Sequence, residues 1–123
     1  MPTNVPVLYI DDDPDAAEIM SLWLQMSGCD AISVPNCEEA LKLLEIHKFE
    51  LCIVDYHLPD STGVELCQQV RQKYPNLPFI LNTGDMRQQV QTEAAQAGMH
   101  FLPKPTDLNL LLGVVKNIVP CSP

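Results

Sequence analysis

Several side chains in this sequence are of types that could handle a phosphoryl group, and each follows an apolar run. Asp11, Asp12 and Asp13 follow Val5 to Ile10, Asp55 follows Leu51-Cys52-Ile53-Val54, Thr83 closes Pro78 to Asn82, and Lys104 follows Met99 to Pro103. If these runs are strands of one parallel sheet, all of these residues lie at its carboxyl edge, where open α/β sheets do their chemistry. Carboxylates about 4 Å apart repel by roughly 4 kcal/mol per pair at an effective dielectric near 20, so they persist together only beside a cation. Hard oxygen ligands that keep waters and leave room for a phosphate suit Mg²⁺. A carboxylate oxygen can attack phosphorus and form an acyl phosphate when a metal, an ammonium and a hydroxyl meet the charge on the phosphoryl oxygens. Asp55, Lys104 and Thr83 match those roles. In-line transfer relies on positioning and electrostatics more than on a base, and no histidine is evidently placed as one.

The elements that must position these residues follow from the hydropathy pattern. Leu51 to Asp55 reads as a central strand buried on both faces, and the Pro, Asp, Ser, Thr and Gly of the next eight residues form a loop over its end. Taken alone, Asp55 serves equally as a turn residue or a helix cap. Val5 to Ile10 is the first strand, Asp30 to Val34 a brief second, Pro78 to Thr83 the fourth and Met99 to Pro103 the fifth. Helical spacing predicts helices from Pro14 to a cap at Gly28, from a cap at Asn36 through Lys48, and from about Gly63 to Tyr74. Two more are predicted, from Arg87 to Ala97 and after a cap at Thr106 or Asp107. The Arg87 to Ala97 helix is mostly Gln and Ala, with Val90, Ala94 and Ala97 as its apolar line, so weak anchoring is expected. Five strands alternating with five helices predict an α/β fold, a doubly wound parallel sheet with right-handed crossovers. Strand order does not follow from the pattern itself.

The chain has 123 residues, a single domain's length, and 46% of them are hydrophobic against 19% charged, which fits a chain that folds without staples. A formal net charge of −9 argues against direct binding to nucleic acid. Cysteines 29, 37, 52, 67 and 121 form no Cys-x-x-Cys pair, and with no signal peptide they point to buried thiols in a reducing cytosol. His47, His57 and His100 have no cysteine at ligand spacing, so zinc is not expected. No window approaches the ~20 apolar residues of a membrane span. The expectation is a soluble cytoplasmic protein with no membrane association, and the tail from Pro120 to Pro123 is expected to fray.

Leu8-Tyr9-Ile10-Asp11-Asp12-Asp13, Asp55-x3-Pro59-x3-Gly63, Thr83-Gly84 and Lys104-Pro105 form an ordered set that resembles the receiver domain of two-component response regulators, of the chemotaxis-regulator kind. The resemblance runs from about Val5 to Ile118 and implies a single receiver domain over residues 1–123 with a core at about 5–118. It implies a flavodoxin-like (βα)5 fold with strand order 2-1-3-4-5. By this likeness Asp55 is the phosphoacceptor, Asp12 a direct Mg²⁺ ligand and Asp11 a ligand through water, and the His57 carbonyl completes the metal site. Thr83 is then the switch hydroxyl, Lys104 the phosphoryl-binding lysine and Phe101 the switch aromatic. The implied partners are a sensor histidine kinase or histidine phosphotransfer protein as donor, and a downstream protein target or covalently linked output domain. A homodimer through the fourth helix, fifth strand and fifth helix is a further expectation. The implied domain is not an enzyme beyond its own phosphorylation and dephosphorylation.

Phe101 stands where Tyr is frequent in the family, Gly84 where a small Ala is more common, and Pro103 removes a donor that only an edge strand can spare. Without a hydroxyl, Phe101 is expected to be buried before any phosphorylation. An EF-hand starting at Asp11 fails, because Ala16 stands where Gly is needed and Leu22 where the bidentate Glu belongs. A haloacid-dehalogenase-like phosphatase resembles Asp11-x-Asp13, but the chain is short for its lid and lacks the hydroxyl residue after the motif. The remaining rival is a pseudo-receiver, a phosphorylation-independent interaction module, and the presence of every key side chain favours the phosphorylated reading.

Overall fold

The computed structural model describes residues 4–119, so the expected fraying of the tail and the burial of Cys121 lie outside the described residues. Its elements are β1 (Val5–Ile10), α1 (Pro14–Met26), β2 (Cys29–Val34), α2 (Cys37–Ile46), β3 (Leu51–Val54) and α3 (Gly63–Lys73), then β4 (Phe79–Thr83), α4 (Gln88–Gln96), β5 (His100–Pro103) and α5 (Leu108–Ile118). The five strands are all parallel and lie in the order β2-β1-β3-β4-β5. Each β-α-β crossover is right-handed in nearly all such folds. The chain steps one way from β1 to β2 and the other way from β3 onward, so its helices must divide between the two faces. α1 and α5 cover one face, with Met20, Leu24, Leu111 and Val115 against Val7, Tyr9, Ile53, Ile80 and Leu102. α2, α3 and α4 cover the other, with Ala40, Leu44, Leu66, Val70, Val90 and Ala94 against Leu8, Ile10, Cys52, Val54 and Leu81. Burial on both faces is why β3 reads as an unbroken apolar run and β4 as one as far as Leu81. β1 and β3 are neighbours at the point where the strand order reverses, which opens a crevice beyond their carboxyl ends.

The helix starts are set by side chains that satisfy exposed N–H groups. Asp13 accepts from Asp15 N at 3.0 Å and Ala16 N at 3.4 Å, Asn36 from Glu39 N at 2.9 Å, Thr62 from Glu65 N at 3.1 Å and Asp107 from Leu110 N at 3.1 Å. Asp13 is therefore the cap of α1. α4 has Arg87 at its N-cap position with no side-chain cap hydrogen bond and buries Val90 and Ala94, so it is as lightly anchored as its composition suggests. Element ends moved slightly from the sequence reading: β2 begins at Cys29 and α2 closes at Ile46, not Lys48. Gly28 follows α1 at φ +84°, the left-handed conformation that suits glycine after a helix. Among the described residues, no helix is long and apolar enough to cross a membrane.

Candidate functional site

β1 and β3 deliver Asp11 and Asp55 to the mouth of the crevice, and β5 delivers Lys104 from the far side of β4. The Lys104 Nζ donates to Asp11 Oδ2 at 2.6 Å and to Asp55 Oδ2 at 3.2 Å, so one ammonium joins strand ends that are 93 and 49 residues away in sequence. Asp11 is nearly fully buried at 1% side-chain exposure, whereas Asp55 keeps 16% and Lys104 24%, enough for a ligand to reach them. Burial pulls the Lys104 pKa down, but the Asp11 hydrogen bond and the charges of Asp55 and Asp11 outweigh it and leave the ammonium above its ordinary value. Asp55 Oδ1 accepts the N–H of Tyr56 at 2.7 Å, which leaves its Oδ2 facing Lys104.

The other predicted residues fall into place unevenly. Asp12 is exposed beside Asp11. Thr83 is buried, and its Oγ1 accepts the Asp85 N–H at 3.1 Å, so the hydroxyl already has one partner in the next loop. The His57 side chain is 63% exposed, as expected for a loop residue, yet its Nε2 lies 2.7 Å from Asp85 Oδ2. Arg87 grips the same carboxylate from Nε and Nη2. With these two partners, the Asp85 carboxyl is held well below the usual carboxylate range. Phe101 is half-buried against the apolar cluster, not fully buried as its missing hydroxyl suggests, because β5 is the edge strand with a neighbouring strand on one flank only. At that edge Pro103 pairs with Thr83, and the donor it lacks faces no further strand. A Cβ added at Gly84 would come within 3.9 Å of Lys104 Cβ, so an alanine there fits without displacement.

Several supporting residues escaped the sequence reading. The buried Tyr9 hydroxyl donates to Asp11 Oδ2 at 2.8 Å, and Asp13 N donates to Asp11 Oδ1 at 3.0 Å, so this carboxylate is oriented from three sides. The Tyr9 pKa is raised, chiefly by burial and then by the charge of Asp11, which keeps the hydroxyl a donor. Asn82, fully buried at the end of β4, donates to Leu102 O at 3.0 Å and Thr106 Oγ1 at 3.2 Å, bracing the Lys104-Pro105 turn on both sides. An amide directly after the apolar run Phe79 to Leu81 is the available signal, since a buried amide needs partners. Asp60 accepts from Cys37 N at 3.0 Å and Glu38 N at 3.1 Å, tying the loop after Asp55 to the start of α2 and lowering its own pKa through those bonds. Gly63 sits so close beneath Asp55 that a Cβ there would lie 2.3 Å from its carbonyl oxygen.

Cys29, Cys37, Cys52 and Cys67 are all buried, and burial with the Asp60 charge pushes the Cys37 thiol up to about 12. Burial raises the Cys52 and Cys67 thiols as well, so Cys37, Cys52 and Cys67 are not reactive thiolates at neutral pH. Among the described residues, no three His, Cys, Asp or Glu side chains gather tightly enough to hold a metal by themselves.

The sequence matches the response regulator receiver domain family over residues 7–116. It is 36% identical over 109 residues to the response regulator protein PilR of Pseudomonas aeruginosa, covering 88% of this chain and 24% of that protein. FleR of the same organism is 33% identical over 110 residues, with 89% of this chain and 23% of that protein covered. The chain thus spans less than a quarter of the length of these relatives. Among solved structures, a response regulator receiver protein from Pseudomonas putida superimposes with a TM-score of 0.88 at 29% identity, covering 95% of this chain and 99% of that one. The chemotaxis response regulator CheY4 of Vibrio cholerae gives 0.86 at 26% identity, over 95% and 100%.

Proposed function

This chain belongs to the response regulator receiver domain family, and from that premise we propose that it accepts a phosphoryl group from a phosphohistidine donor onto Asp55 with the help of Mg²⁺. The observation that carries the proposal is the Lys104 ammonium between Asp55 Oδ2 and Asp11 Oδ2, at 3.2 and 2.6 Å, at the crevice mouth. The buried Asp11 accounts for one of these contacts, and the second, to the more exposed Asp55, places the ammonium where phosphoryl oxygens would develop charge.

In the proposed step an Asp55 carboxylate oxygen attacks phosphorus in line. A new O–P bond forms, the P–N bond to the donor imidazole breaks, and the electron pair stays on the leaving nitrogen. Lys104 is free to leave Asp55 for a phosphoryl oxygen while it keeps Asp11, and the Thr83 hydroxyl hydrogen can donate to another. Both act on charge that grows during transfer.

The donor set suits Mg²⁺. It is made of oxygen atoms, and this ion uses one or two carboxylates and keeps several waters, so three converging acids are not required. Asp11 spends both oxygens on Tyr9, Asp13 N and Lys104, which fits a role through water. Asp12, Asp55 and the His57 carbonyl would hold the ion, which when bound would neutralise charge on the phosphoryl oxygens. The reaction is confined to the domain's own phosphorylation and dephosphorylation, in the cytoplasm.

The donor protein approaches at the same edge. α1 starts there and carries Ile19, Leu22 and Met26 exposed at 50%, 56% and 74%, beside Asp15 and Glu18 and without a basic residue. That stripe suits a histidine kinase or phosphotransfer protein whose apolar patch is ringed by Lys or Arg. Output passes to a protein target or a linked domain, with a homodimer through α4, β5 and α5 as one form of it. Incubating the chain with acetyl phosphate, with and without Mg²⁺, tests the proposal by intact mass. One added phosphoryl group that requires Mg²⁺ is expected, and no addition under either condition overturns it.

A further inference from the structure

Tyr56, the residue after the proposed phosphoacceptor, makes a contact that neither the acid site nor the sheet requires. Its ring is buried, and its hydroxyl donates to the Glu93 carboxylate on α4, at 3.1 Å to Oε1 and 3.3 Å to Oε2, across 37 residues of sequence. Its main chain is fixed at both ends: the N–H donates to Asp55 Oδ1 at 2.7 Å and the carbonyl accepts from Gly63 N at 2.9 Å. Tyr56 is therefore an anchored donor.

α4 has the opposite character. It buries only Val90 and Ala94 and has no side-chain cap, and Arg71 holds its far end through the Ala97 and Gly98 carbonyls. Its near end hangs from Thr83 through the 3.1 Å bond from Asp85 N to Thr83 Oγ1, with His57 and Arg87 closing on the Asp85 carboxylate. A displacement of Thr83 therefore reaches α4 through Asp85, while Tyr56 stays where the sheet and Asp55 hold it.

We propose that the Tyr56–Glu93 hydrogen bond is the restraint that keeps α4 in its resting position, and that phosphorylation of Asp55 acts against it by drawing Thr83 toward the phosphoryl group and, through Asp85, shifting α4 relative to the fixed Tyr56 hydroxyl. The proposal rests on the reading of Asp55 as phosphoacceptor. Tyr56 is a positioning residue, since it acts on the partner-facing helix through Glu93. If the bond belongs to the resting arrangement alone, its loss releases α4 beforehand and raises the affinity of any ligand that prefers the phosphorylated arrangement.

The test uses beryllofluoride with Mg²⁺ as the probe on the whole chain, its binding read by calorimetry and α4 read by amide exchange. The variants are Tyr56→Phe, Glu93→Ala, Glu93→Gln and the double Tyr56→Phe/Glu93→Ala. Each of the Phe and Ala single variants should speed exchange in residues 84–98 without ligand and tighten beryllofluoride binding by about tenfold, the scale of a hydrogen bond to a charged group. The double variant should do no more than either single, and Glu93→Gln, which keeps an oxygen acceptor, should fall between Ala and wild type. Additive effects, unchanged exchange or unchanged or weakened affinity in the singles overturn the proposal. Glu93 is half-buried on a helix surface, so its variants decide the matter even if Tyr56→Phe does not fold. If wild type ignores beryllofluoride, the phosphoacceptor reading fails, and the restraint is judged by whether exchange in 84–98 still responds non-additively.

Discussion

Replacing Gly63 by Ala should damage both stability and phosphoryl chemistry, although local propensity alone predicts the opposite. Gly63 is the first residue of α3, and Ala in place of Gly within a helix is worth roughly 0.5–1 kcal/mol, less at a first position. The added Cβ would lie 2.3 Å from the Asp55 carbonyl oxygen and 3.1 Å from both the Asp55 carbonyl carbon and Val54 Cγ1. Ordinary carbon contacts are about 3.5 Å, so the end of β3 and the start of α3 must part by about 1 Å. The 2.9 Å bond from Gly63 N to Tyr56 O locks the same turn and resists that movement. Overpacking of this kind costs about 1–3 kcal/mol, which exceeds the propensity gain. A shift of about 1 Å at a reacting carboxylate can lower a rate by about 100-fold. Urea unfolding followed by far-UV circular dichroism gives the first quantity, and the rate of acetyl phosphate labelling gives the second. Gly113→Ala is the control, because a Cβ there meets nothing within 4 Å, and it should stabilise the protein by up to about 1 kcal/mol. A Gly63→Ala protein as stable as wild type and labelled at the wild-type rate would refute the reasoning.

Lys104→Met should cost about 3–5 kcal/mol in the absence of metal, at the upper end if Asp11 stays dry, because it leaves that buried carboxylate without its cation. Mg²⁺ should then raise the melting temperature more in the variant than in wild type, and equal shifts would count against the charge argument. Asp12→Asn should weaken Mg²⁺ stabilisation while raising metal-free stability, since a repulsive charge is lost; a melt insensitive to Mg²⁺ in wild type would contradict it. The Asp60 carboxyl titrates lower in the folded chain than in the unfolded one, so its contribution is full above the ordinary carboxylate pKa of about 3.9 and fades as pH falls through the lower folded value. Asp60→Asn should therefore lose stability at pH 7 and show a shallower acid limb in melts between about pH 5 and 2, whereas parallel limbs for the two proteins would disprove the role.

Much of the site could be read in the sequence because each strand stops abruptly on a functional group. Asp11, Asp55, Thr83 and Lys104 follow apolar runs, and a parallel sheet brings the ends of such runs to one edge. Their gathering at one edge needed only the fold class, whereas the meeting of Asp11 and Asp55 at Lys104 also needed the strand order. What the sequence concealed depends on register between distant elements. Tyr9 reads as one more apolar strand residue, and only its place two residues before Asp11 on a buried face turns its hydroxyl toward that carboxylate. Asn82 faces Thr106, Tyr56 faces Glu93 and Asp60 faces the start of α2 across 24, 37 and about 22 residues, separations at which local pattern carries no pairing information. Asp13 shows the same limit, since an acid after Asp11-Asp12 can serve a metal or a helix cap, and the turn into Pro14 shows it capping α1. The missing hydroxyl of Phe101 predicts a buried ring, but the edge position of β5, invisible without the strand order, leaves it half-open.

The central claim, that Asp55 is the phosphoacceptor, is tested most directly by locating the modification. Borohydride reduction of the acetyl phosphate-treated, Mg²⁺-containing protein, followed by peptide mapping in the mass spectrometer, converts an acyl phosphate at its own position to the alcohol. The prediction is a single reduced residue at position 55, absent from an Asp55→Asn chain treated in the same way. Reduction at Asp11, Asp12 or Asp60, or equal labelling of Asp55→Asn, would contradict the account.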